Sequence, residues 1–115
     1  MTSAENIHPD MVIRARVKLL GVDRLPHQER TDAYRLLIRV DPRYLTHLVR
    51  SLLLWCDKGG PAPALRATLL TEAIAAAHRV PPTDPDRARL LRAALDAHEA
   101  QSSAADARTH LPTDG

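Results

Sequence analysis

Apolar residues recur along this chain at helical spacing, and prolines and glycines divide the pattern into five segments. Pro9 suits the first turn of a helix running to Leu20, with Gly21 as its stop. A second helix is predicted from near Pro26 to about Arg39. Asp41-Pro42 then reads as a cap followed by a first-turn residue, because proline disfavours helix in the residue before it. The third helix runs from there to about Asp57 and ends at Gly59-Gly60. Pro61 and Pro63 open a fourth, alanine-rich helix to about Arg79, which Pro81-Pro82 breaks. Thr83-Asp84-Pro85-Asp86 reads as a capped start with acidic residues near the positive helix end, and the fifth helix continues to about Gln101. Residues 1–8 and 102–115 are small and polar and are expected to be tails, the second flexible, around a bundle domain at 9–101.

On a helical wheel, Ala33, Leu36, Leu37 and Val40 make one stripe of the second helix, widened by Tyr34 and Ile38. The fourth helix is broadly apolar through Leu65, Leu69, Leu70, Ala73, Ile74, Ala76 and Ala77, and the fifth turns Leu91, Ala94 and Leu95 inward. Short connections favour sequential antiparallel packing, so the expectation is an all-α, compact bundle of about five helices.

The run Leu52-Leu53-Leu54-Trp55-Cys56 holds the only Trp and the only Cys. Five apolar residues in succession overfill an ordinary amphipathic face. On the wheel, Tyr44, Leu45, Leu48, Val49, Leu52, Leu53, Trp55 and Cys56 share one half of the third helix. Arg43, Thr46, His47, Arg50 and Asp57 take the other half, and Leu54 falls among them. Either another segment of the chain covers Leu54, or it is an apolar spot ringed by Arg43, His47 and Arg50, a composition suited to a protein interface.

Composition supports the helical reading. Leu and Ala dominate, Phe is absent, and the strand-favouring aromatic residues are limited to Tyr34, Tyr44 and Trp55. No apolar run approaches the roughly 20 residues of a membrane span, the N-terminus lacks a secretory pattern, and one cysteine makes no disulfide framework. The expectation is a cytoplasmic protein. The net charge of +2 is unevenly placed: residues 11–80 carry twelve Lys/Arg against six Asp/Glu, and both ends are mildly acidic.

Catalytic chemistry finds little support. His8, His27, His47, His78, His98 and His110 include no pair at zinc-motif spacing, and no metal or cofactor is expected. Cys56 falls on the inward face, where burial disfavours the thiolate nucleophile. Gly59-Gly60 leads into prolines and makes no phosphate loop. The sequence therefore points to a protein that is not an enzyme. Nucleic-acid binding is the rival: the second and third helices, joined through Val40-Asp41-Pro42, read as a helix-turn-helix with Arg43, His47 and Arg50 outward. Against it stand a long second helix, the absence of the usual small turn residue, and Leu54 on the outward face.

His47-Leu48-Val49-Arg50, then Cys56, Gly59-Gly60, Leu65-Arg66 and Leu69-Leu70, form a valine-arginine helix, a glycine turn and a leucine-rich helix. This segment, with Arg30 and Leu36-Leu37 upstream, resembles the effector-associated domains, small helical adaptors of actinobacterial multidomain defence and signalling proteins. Pro61-Ala62-Pro63 departs from that pattern by lengthening the turn. The resemblance implies an adaptor that binds another helical domain and performs no catalysis. Both lines lead to a non-enzymatic protein–protein interaction module or small regulatory subunit, binding another protein or a second copy of itself. The partner-binding residues expected on the second and third helices are Arg35, Arg39, Arg43, His47, Arg50 and Leu54, with Trp55 behind them. A small DNA- or RNA-binding regulator is the alternative.

Overall fold

A computed structural model describes residues 9–21 and 25–109, with side chains as far as Ala104. They form five α-helices: α1 (Pro9–Gly21), α2 (His27–Leu37), α3 (Leu45–Lys58), α4 (Pro63–Arg79) and α5 (Arg87–Thr109). A 3-10 turn, Pro42–Tyr44, leads into α3. There is no strand among the described residues, and the all-α bundle read from the sequence is what the chain forms. No described helix is long and apolar enough to cross a membrane.

Helix α3 is the centre. It packs against α2, α4 and α5, while α4 also packs on α5. The main core joins Leu45, Leu48, Val49, Leu52 and Cys56 of α3 to Leu69, Leu70, Ala73, Ala76 and Ala77 of α4, and to Leu90 and Ala94 of α5. Each leucine so buried contributes about 1.5–3 kcal/mol relative to exposure. The alanines of α4 remove side-chain bulk and let its neighbours approach closely. Among the described helices α1 packs on α2, through a second, smaller cluster of Ala15, Ala33 and Leu37 against which Tyr44 also packs.

The junctions form for local reasons. Asp41 caps the 3-10 turn, its carboxylate accepting a hydrogen bond from the Arg43 backbone at 3.0 Å. Gly60 follows α3 at φ +59°, a left-handed conformation open to glycine without steric cost. Two arginines then satisfy carbonyls that helix ends leave without partners. Arg66 donates to the Cys56 carbonyl at 2.7 Å, and Arg87 donates to the Val80 carbonyl at 2.8 Å. Between α2 and α3 the hydroxyls of Thr31 and Ser51 meet at 2.8 Å, both buried.

Three apolar positions depart from the wheel. Val40 is exposed because α2 ends at Leu37 and Val40 falls in the following turn. Leu65 is exposed in the first turn of α4. On α5 the inward line runs through Leu90 and Ala94, leaving Leu95 outside, because the helix rolls to meet α3 and α4 together. The fifth helix also runs past Gln101 to Thr109, since no proline or glycine interrupts that stretch. The tail expected at 1–8, and the part of the C-terminal tail beyond Thr109, lie outside the described residues.

Candidate functional site

Helix α3 is covered on three sides, and its fourth side stays open between α2 and the entry to α5. Leu54 lies there, still 39% exposed and absent from the core. No segment of the described chain covers it. It lines a shallow depression of about 270 Å³ with Arg30 and Tyr34 of α2 and His47, Arg50 and Ser51 of α3. A second depression of about 270 Å³ adjoins the first and shares Tyr34 and His47 with it. Its other walls are Arg16, Leu19 and Leu20 of α1, with Leu37 and Tyr44.

Three rings stand where the depressions meet. Tyr34, Tyr44 and His47 have centroids 5.5–6.3 Å apart and are mutually tilted by 34–54°, within the centroid range of interacting aromatic pairs. Tyr34 comes from α2, Tyr44 from the 3-10 turn and His47 from the first turn of α3, so the Asp41-Pro42 junction sets their meeting. The surface is therefore aromatic at its centre, with Leu20 toward one end and Leu54 toward the other. Arg16, Arg30 and Arg50 line it as well.

Only part of the expected residue set gathers here. His47, Arg50 and Leu54 do. Arg50 also donates to Asp86, just before α5, at 2.9 Å. Arg35 faces α4 instead, holding both Glu72 carboxylate oxygens at 2.8 and 2.6 Å and Asp32 at 2.7 Å. Those carboxylates raise its already high pKa, so it braces α2 on α4 as a permanent cation. Arg39 is exposed in the turn after α2. Arg43 does not ring Leu54: it pairs with Asp41 at 2.9 Å and lines a separate depression with Val80 and Asp84. Its guanidinium holds the Asp41 carboxyl below the usual carboxylate range. Trp55 packs against the main core, beside Gly59 at the far end of α3.

The sequence reading missed Arg16, Leu20, Arg30, Tyr34 and Tyr44 as members of this surface. One signal was available for the tyrosines: they are two of only three aromatic residues in the chain. For α1 the signal was a helix apolar on two sides.

Cys56 is 2% exposed in the main core, and burial pushes its thiol pKa up. No group of three or more His, Cys, Asp or Glu among the described residues is placed to hold a metal ion. No family model, curated protein or solved structure matches this chain.

Proposed function

We propose that this protein is a non-enzymatic helical interaction module, an adaptor or small regulatory subunit, that docks another protein where α1, α2 and α3 meet. The observation that carries the reading is the Tyr34–Tyr44–His47 cluster with Leu20 and Leu54 on either side of it. Aromatic and arginine side chains around an apolar centre are the composition in which interface energy concentrates. The resemblance to effector-associated domains points the same way and makes a helical domain the natural partner.

Nucleic-acid binding has less support from the same surface. Arg43 and Arg50 each face a carboxylate, Asp41 and Asp86, which would stand against a phosphate backbone. Leu54→Asp is expected to abolish partner binding or self-association while helicity and melting stay near wild type. Unfolding by this substitution would make Leu54 core and remove the anchor of the proposal. A gel-shift series across salt addresses the rival. Binding to DNA or RNA that weakens steeply with salt would displace the interaction reading.

A further inference from the structure

Helix α1 has a small apolar seat. Among its described side chains only Ala15 is buried, and Val12 and Leu19 are half-buried against the Ala33–Leu37 cluster. Ile13, Val17 and Leu20 are 58%, 61% and 87% exposed. By contrast, α3 buries residues all along its length, from Leu45 to Cys56, and α4 does so from Leu69 to Ala77.

Depressions undercut α1 on both flanks. One, of about 320 Å³, lies between Met11, Arg14 and Lys18 of α1 and Glu29, Asp32 and Leu36 of α2. The other is the depression that Arg16, Leu19 and Leu20 share with Tyr34, Leu37 and Tyr44. Helix α1 therefore rests on a narrow ridge. A helix of 13 residues has little stability of its own in water, so its seat decides whether it is held.

Charge supplies what the ridge lacks. Arg14 and Lys18 line the first depression opposite Glu29 and Asp32. On the other flank Arg16 stands near enough to Asp41 to help Arg43 hold that carboxyl below the usual carboxylate range. Cations of α1 thus meet carboxylates of α2 on one side and of the turn before α3 on the other. Arg14, Arg16, Lys18, Glu29 and Asp32 are all exposed, so dissolved salt screens their attraction and leaves the apolar contact in place.

We infer that α1 is a salt-released strap: held on α2 mainly by opposite charges, it lifts away as a unit while α2 to α5 stay folded. Elements that open ahead of the rest are those with few buried apolar contacts, and α1 is the described helix that fits. Lifting uncovers Ala33 and Leu37 and takes Arg16, Leu19 and Leu20 out of the docking surface. The strap thereby sets whether that surface is assembled. Its release stands apart from the proposed function, whereas the consequence for a partner rests on that proposal.

Native-state amide hydrogen exchange of the full chain tests the strap. The α1 amides are expected to exchange at least tenfold faster than those of α3 and α4. Between about 0.02 and 0.5 M sodium chloride they should quicken at least threefold more, with α3 and α4 unchanged. Glu29→Lys leaves every residue of α1 in place and should speed α1 exchange threefold or more at low salt. Adding Lys18→Glu to it should restore the protection. Exchange of α1 in one unit with α3 and α4 overturns the inference, as does protection of α1 that holds or rises with salt. So does an α1 unprotected at every salt concentration, or a Glu29→Lys chain whose α1 exchanges as in wild type. None of these readouts involves Leu54 or a partner, so failure of the strap and failure of the docking surface are told apart.

Discussion

Leu54 and Cys56 stand two residues apart on α3 and meet opposite surroundings, because successive helical positions turn by about 100°. Leu54 reaches the open side, and Cys56 reaches α4 in the centre of the core. Burial raises the Cys56 thiol above its ordinary value of 9.0. The folded chain therefore holds this proton more tightly than the unfolded chain does. Its contribution to stability is complete below about pH 9 and is lost as pH rises through the folded value. A pH series of melting curves should show this alkaline loss in the wild type and a flatter profile in Cys56→Ala. Iodoacetamide at pH 8 should label Cys56 slowly in the native chain and rapidly in denaturant. Fast native labelling would place the thiol at the surface. The position of Leu54 was legible in the sequence, since the wheel alone sets it among Arg50 and His47. Arg50 was legible with it, but Arg30 and Arg43 were not. Arg43 belongs to the turn before α3, and its hydrogen bonds to Asp41 hold it there. A wheel that extends α3 back through residue 43 misplaces it.

The helices themselves follow from pattern and punctuation. Pro9, Asp41-Pro42, Gly59-Gly60, Pro63 and Pro81-Pro82 each mark a junction that the structure keeps within a few residues. What a wheel does not supply is which side of a helix meets which neighbour. Leu90 and Leu95 are both apolar residues of α5, and only the joint contact with α3 and α4 selects Leu90 as core. Likewise, the buried Thr31–Ser51 hydrogen bond links residues twenty apart in sequence and fixes how α2 sits on α3. Thr31→Val or Ser51→Ala strands a buried hydroxyl, at a cost of about 1–3 kcal/mol. The double substitution should cost measurably less than the sum of the two in urea unfolding. Strict additivity would mean that the two hydroxyls are not coupled. Arg35 and His47 separate bracing from binding in the same way. Arg35→Ala should lower the melting temperature and spare partner binding, because Arg35 ties α2 to Glu72 of α4. His47→Ala should weaken partner binding with little change in melting. The reverse pattern would move the binding surface toward α4.

At the scale of the whole molecule, α3 to α5 with α2 form the main body, and α1 is attached through one smaller cluster. That asymmetry leaves α1 with an uncovered side and leaves α3 open between α2 and α5. The apolar residues concerned are visible along the chain, but their lack of cover is not, because it depends on which faces go without a neighbour once the bundle has closed. The most direct measurement compares two leucines of nearly equal exposure, Leu54 at 39% on α3 and Leu95 at 41% on α5. Wild-type, Leu54→Asp and Leu95→Asp chains, matched in melting temperature, serve as baits in quantitative affinity capture from the source cells. A partner retained by wild type and Leu95→Asp but lost from Leu54→Asp is the predicted result. Equal recovery by all three baits, or loss from Leu95→Asp alone, would contradict the assignment of the α1–α2–α3 surface as the docking site.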